Sequence, residues 1–276
     1  MMATMNGDLS LEQRAFFDTF GFLVLKGTLA SEIGWITDEF EHVFRDRGIV
    51  HDGTKRSCVV PFIDQRERLC KLLDHPVIEG LGAGLLGEEF AYLGGDGNYY
   101  SGDTSWHSDG YHTVGKFLKI ALYLDPVRRD SGALRAIPGS HRLELRDWQG
   151  LRAREAESVW GITQSEVPAI ALESDPGDVV AFNHNLMHAS FGGSAARRMF
   201  TLNLCSEARS EAEIRDLRDY INGHDRFWLE HLHSDVMRSS AGPGRMRHLQ
   251  QVMELEDELA ERSKQAMASM GAPANG

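Results

Sequence analysis

Residues 176–205 read PGDVVAFNHNLMHASFGGSAARRMFTLNLC. Two apolar runs, VVAF at 179–182 and MFTLNLC at 199–205, are too short for helices of ordinary length and carry β-branched and aromatic residues. A Pro-Gly turn opens the first, and Gly192-Gly193 lies between them. Short apolar runs punctuated in this way read as strands. The texture extends from about residue 90 to 206, where KIALYL at 119–124 is a third run, so this part predicts an all-β sandwich or barrel. LRDWQGLRAREAESVW at 145–160 breaks the pattern and reads as an insertion between strands.

The flanks are helical in pattern. From about 10 to 75, a helix capped at Ser10 carries Phe16, Phe17 and Phe20 on one side and stops at Gly21, and FLVLKG follows as a short strand. Ile33, Ile36, Phe40, Val43 and Phe44 recur at helical spacing in a second helix closed by Gly48, and a third is expected over about 64–74. From about 210 to 268 strong helix formers return. Neither a repeat nor a long linker divides the chain, so residues 1–276 read as one domain, mainly β with flanking helices.

Acidic residues outnumber basic ones 41 to 29, a net charge of −12, and this argues against nucleic acid as partner, because phosphate backbones need a basic face. No apolar run approaches a membrane span, and no secretory leader precedes the first helix. Three cysteines without a CxxC pair fit reduced thiols in a cytoplasmic protein. GAGLLG at 82–87 matches a dinucleotide fingerprint, but ERLCKLLDHPVIEGL before it reads as helix, whereas the fingerprint requires a preceding strand.

The chemistry concentrates in GDTSWHSDGYH, 102–112. In a strand, His107 and Asp109 share a face and can reach one point. His188, which follows the strand opened by Pro-Gly-Asp, is the best third ligand. Two histidines and a carboxylate on one face of an octahedron leave three adjacent positions open. That is the arrangement of non-heme Fe(II) oxygenases, which hold a bidentate cosubstrate and still admit O₂. A cosubstrate with a far carboxylate needs a cation nearby, and the planar fork of arginine suits it. Arg197 and Arg198 are the candidates. Arg197 shares a strand face with Met199, Thr201 and Asn203, the more polar face, and is preferred; Arg198 is the alternative. Ser190 and Thr201 are positioned to hydrogen-bond a carboxylate. The remaining histidines, His112 and His184 among them, read as core or surface residues, and Trp106 as packing. Tyr99, Tyr100, Tyr111, Lys116, Arg135 and Trp148 are candidate pocket residues for a small-molecule substrate, with Lys116 and Arg135 suited to an anionic one. A cupin-like metal enzyme without this cosubstrate and a non-catalytic barrel are the alternatives.

These motifs together resemble the phytanoyl-CoA dioxygenase family of Fe(II)/2-oxoglutarate oxygenases. WHSDG, the run LKIALYLDPVRRDSGALRAIPGSHR, PGDVVAFNHNLMHAS and RRMFTLNL carry the likeness, with FFDTFGFLVLKG at the N-terminal end. It spans about residues 10–206. The resemblance implies a double-stranded β-helix (jelly-roll, cupin-like) core with Fe(II) on His107, Asp109 and His188. It implies that Arg197, assisted by Ser190, binds the distal carboxylate of 2-oxoglutarate, and that a C–H bond is oxidised with release of succinate and CO₂. Related halogenases lack the carboxylate ligand, so Asp109 implies hydroxylation.

Overall fold

The computed structural model describes residues 7–145 and 151–274. Eleven strands among them pair antiparallel throughout. They are β1 Phe22–Leu25, β2 Ser57–Val59, β3 Ala91–Tyr92, β4 Gly97–Tyr100, β5 Thr104–His107, β6 Phe117–Tyr123, β7 Leu134–Ala136, β8 Ile170–Leu172, β9 Val179–Asn183, β10 His188–Ser190 and β11 Arg197–Cys205. The larger sheet runs β1-β9-β6-β11-β4-β2, with β3 also on β11, and the smaller runs β5-β10-β7-β8. The two sheets face each other as a jelly roll. Ala121, Tyr123, Val180, Phe182 and Met199 of the large sheet pack between the layers with Leu134, Ala136 and Leu172 of the small one.

The opposite face of the large sheet is also covered. Leu118, Ile120, Leu122, Phe200, Leu202 and Leu204 bury against Ile36, Phe40 and Phe44 of α2 (Ile33–Asp46) and Leu81 of α4 (Pro76–Leu86). Double burial explains why β6 and β11 read as near-continuous apolar runs instead of clean alternation. Helix α1 (Leu11–Phe20) begins with a reciprocal capping box, in which Ser10 and Gln13 accept from each other's backbone N–H. It leads directly into edge strand β1, so the N-terminal part contributes to the sheet.

Two expectations are corrected. The single helix over 64–74 is a series of short turns, with 3₁₀ segments at Ile63–Gln65 and Lys71–Asp74 around α3 (Glu67–Cys70). Likewise, the run through DHPVIEG is not continuous, because Pro76 forces His75 into an extended conformation (ψ 131°), and α4 starts anew. Gly82 and Gly84 lie inside α4 and Gly87 ends it, so no strand precedes the GAGLLG motif. Strand β2, too short for a pattern, was not anticipated.

The insertion contains α5 (Leu151–Arg154) and α6 (Ala156–Trp160); its residues 146–150, including Trp148, lie outside the described residues. After β11 come α7 (Glu211–Asn222), α8 (Asp235–Ser240), α9 (Pro243–Leu255) and α10 (Leu259–Ser269). Leu217 and Ile221 of α7 pack with Phe117 and Cys205, which docks this helix on one end of the large sheet. Among the described residues, no helix is long and apolar enough to cross a membrane.

Candidate active site

His107 ends β5 and His188 begins β10, and the two are register partners across the small sheet. Pairing brings their ring centroids to 4.2 Å. Asp109 joins them differently from the strand-parity expectation. Strand β5 stops at His107, so Asp109 lies in the turn beyond, and the turn swings its carboxylate back over the imidazoles. Its Oδ2 is 3.6 Å from His188 Nε2. One ligand atom from each of the three residues lies within 4.8 Å of the other two.

Backbone carbonyls fix the rings. His107 Nδ1 is 2.8 Å from Ser105 O, and His188 Nδ1 is 2.9 Å from Leu186 O. A carbonyl can only accept, so each Nδ1 carries the proton and each Nε2 presents its lone pair. The carboxylate is fixed too. Lys119 Nζ donates to Asp109 Oδ1 at 2.7 Å, while Oδ2 is buried without a hydrogen-bond partner among the described residues. Burial alone pushes Asp109 upward, but Lys119 and the surrounding histidines outweigh it and hold the group well below the usual carboxylate range. Burial pushes His188 down to about 4 against the pull of Asp109. At neutral pH the cluster therefore sets an ionised carboxylate beside the neutral His188 imidazole, the protonation states metal ligation requires of them.

A cavity with about 510 Å³ of empty space, part of it open to solvent, lies beside the cluster between the sheets. Arg197, at the first position of β11, faces into it and is 4% exposed. Among the described residues its Nε and Nη1 have no hydrogen-bond partner, and its guanidinium lies 5.2 Å from the Tyr100 ring centre. Two glycines make room for it. A Cβ on Gly132, whose φ is +90°, would fall 1.8 Å from Arg197 Nη1, and one on Gly193 would fall 2.4 Å away. Arg198 points to the other face, bound to Asp125 at 2.6 Å and Glu41 at 2.8 Å. Ser190 and Thr201 line the cavity with Arg197; Ser190 Oγ donates to Gly132 O at 3.0 Å, and Thr201 Oγ1 donates to Asp96.

A second chamber, with about 1180 Å³ of empty volume, adjoins His107 and Asp109 on the other side. Lys119, His184 and Asn203 line it from the barrel, and Asp219 and Tyr220 of α7 with His224 just beyond line it from outside. His184, read in the sequence as an ordinary histidine, is 1% exposed with neither ring nitrogen hydrogen-bonded among the described residues, and burial pushes it down to about 3. His112 is structural: its Nδ1 lies 2.7 Å from Asp216 and its ring stacks on Phe117.

The other pocket candidates divide. Tyr100 lines both chambers. Tyr99 lies on the opposite face with Glu41, and Lys116 and Tyr111 are exposed. Arg135 is buried but spent on Ser165 O, Arg129 O and Asp130, because it faces away from the interior. Trp106 is packing, as expected, with Nε1 bonded to Gln164 O. Lys119 was missed, although a lysine inside a doubly buried strand signals a buried partner.

The sequence model for phytanoyl-CoA dioxygenase matches residues 17–200, which include all three clustered residues and Arg197. The chain belongs to this family of Fe(II)/2-oxoglutarate-dependent oxygenases. No curated protein matches it. Among solved structures, the non-heme alpha-ketoglutarate-dependent carbocyclase SnoK from nogalamycin biosynthesis is 21% identical, over 75% of this chain and 87% of that one, with a TM-score of 0.60. HygX from Streptomyces hygroscopicus, with iron bound, is 19% identical over 74% and 89%, at 0.58. EctD from S. alaskensis, with 2-oxoglutarate and 5-hydroxyectoine, is 21% identical over 72% and 77%, at 0.56. At these identities the likeness is one of fold. The family match ends inside β11, so the outer wall of the second chamber lies beyond it.

Proposed function

We propose that this chain is an Fe(II)- and 2-oxoglutarate-dependent oxygenase that hydroxylates an unactivated C–H bond of a small molecule. Iron would be held by His107, Asp109 and His188, and the far carboxylate of 2-oxoglutarate by Arg197. The observation that carries this reading is the unpartnered, buried Oδ2 of Asp109 between two outward-facing Nε2 lone pairs, with an unpaired buried guanidinium in the same cavity. Each is an unmet valence that costs stability unless a ligand satisfies it.

Iron bound there supplies the activation of O₂ that no side chain can perform, coupled to conversion of 2-oxoglutarate to succinate and CO₂. The protein's contribution is placement. Lys119 occupies Asp109 Oδ1, which leaves a single oxygen for ligation. Arg197 offers parallel N–H donors for a bidentate carboxylate. Leu134, Phe182 and Met199 close the same cavity with apolar surface, which strengthens that ion pair by excluding water. Ser190 and Thr201 add hydroxyls beside Arg197. The carboxylate at position 109 favours hydroxylation over halogenation. Because α7 walls the second chamber, residues through about 268 are taken as one catalytic domain.

The test is anaerobic titration with Fe(II) and 2-oxoglutarate, followed in the visible spectrum. Chelation gives a weak metal-to-ligand charge-transfer band, which is expected in the wild type and lost in His107→Ala. Iron binding without the band would transfer the assignment to a metal enzyme that does not use 2-oxoglutarate.

A further inference from the structure

The family's namesake substrate is an acyl thioester, but the second chamber is built for something else. Of the side chains on its wall, only Val60 and Phe227 are aliphatic or phenyl; all others, two glycines apart, are polar. Two of the polar ones are buried with hydrogen-bonding atoms unused. His184, 1% exposed, has neither ring nitrogen bonded, and Asn203, 7% exposed, has an unpartnered Oδ1. They approach each other, but no hydrogen bond of normal geometry joins them. Among the described residues, two buried polar side chains are thus unsatisfied on the wall of the chamber that His107 and Asp109 also line.

Their chemistry states what satisfies them. A neutral imidazole has one donor and one acceptor nitrogen, and the Asn203 oxygen is an acceptor. A group that both donates and accepts, such as a hydroxyl, amine or amide, can serve both residues at once. An alkyl chain serves neither and leaves both unpaired. A site built to hydrogen-bond its substrate rejects analogues lacking the partner by large factors, on the order of 10⁴.

We infer that the substrate is a small polar molecule that presents a hydroxyl, amine or amide to His184 and Asn203, and that this chamber excludes acyl chains. The inference rests on the proposed Fe(II)/2-oxoglutarate reading for its orientation toward the metal, and its test separates the two. The charge-transfer band with 2-oxoglutarate is recorded first on every sample. Its absence in the wild type defeats the oxygenase reading, whereas the outcomes below concern the chamber alone.

Anaerobic protein loaded with Fe(II) and 2-oxoglutarate is titrated with cis-parinaric acid, a fluorescent fatty acid, with decanoyl-CoA as competitor. The wild type should give no saturable signal. The His184→Leu/Asn203→Leu double variant should bind the probe at least about tenfold more tightly, since two leucines put apolar surface on the wall where unpaired polar groups stood. Both single variants are titrated alongside and should each gain part of the affinity, which keeps the test decisive should the double variant misfold. Saturable binding to the wild type that decanoyl-CoA displaces overturns the inference, and so does the absence of any gain in the folded variants.

Discussion

Replacing Arg197 by methionine isolates the cosubstrate interaction. The guanidinium is 4% exposed and two of its nitrogens lack partners, so in the protein alone it is a buried charge without compensation. In the proposed complex, the far carboxylate of 2-oxoglutarate would meet that fork in a cavity walled by Leu134, Phe182 and Met199. Removing one member of a buried, hydrogen-bonded charge pair costs about 3–5 kcal/mol, chiefly because the other charge is left unpaired. At about 1.4 kcal/mol per decade, the dissociation constant of 2-oxoglutarate should rise by about two to three and a half orders of magnitude. Stability should move the opposite way. Without ligand, Arg197→Met should melt no lower than the wild type, because the change removes an unsatisfied charge and keeps most of the volume. Titration of the charge-transfer band gives the first quantity and thermal denaturation without ligand the second. Arg198→Met is the control. Its pairs with Asp125 and Glu41 are partly exposed, so it should lose about 1 kcal/mol of stability or less and leave 2-oxoglutarate binding intact. A rise of threefold or less in Arg197→Met, or a large rise in Arg198→Met, refutes the assignment.

Lys119→Met should weaken Fe(II) binding by about 10- to 100-fold, measured by metal titration, because Asp109 loses the donor that fixes one of its oxygens; Lys119→Arg should restore part of it. Gly132→Ala should raise the 2-oxoglutarate dissociation constant as Arg197→Met does, since its Cβ would fall 1.8 Å from the guanidinium; it should also lower the melting temperature, because φ +90° strains alanine. Acid should destabilise the fold early. His184 and His233 are pushed down to about 3 and His224 to about 4 by burial, so below the ordinary value of 6.5 the unfolded chain takes up protons that the folded chain refuses. Their contribution is complete above pH 6.5 and is lost as pH falls toward 3, so the melting temperature should decline through that window. His233→Phe should flatten part of the decline.

Local rules were readable where a residue's role depends on near neighbours. The Ser10 cap, the apolar stripe of α2 and the alternation that separates Arg197 from Arg198 depend on periods of 3.6 and 2. His107 and His188 were found because each sits at a strand end marked by turn residues. What escaped depends on contacts distant in sequence or on a turn. Asp109 was placed by strand parity, but it reaches the cluster from a turn. Lys119 looks like an isolated charge in KIALYL until the pairing of β6 with β11 and β9 shows that it points inward. His184 shows no signal within its own segment, because what distinguishes it is the lack of partners in three dimensions. The helix expected over 64–74 breaks into short 3₁₀ and α segments, and the helical run through DHPVIEG breaks at His75, which Pro76 holds extended.

The position of α7 separates two tasks along the chain. Every residue assigned to iron or 2-oxoglutarate precedes position 202, whereas Asp219, Tyr220 and His224 close the second chamber from a segment that begins after the last strand. Part of the chamber wall is thus supplied by a stretch separate from the oxidising centre, while His184 and Asn203 complete it from the barrel. Substitutions after residue 205 could retune what enters while leaving the oxidising centre untouched, which makes this tail the natural place to graft new selectivity.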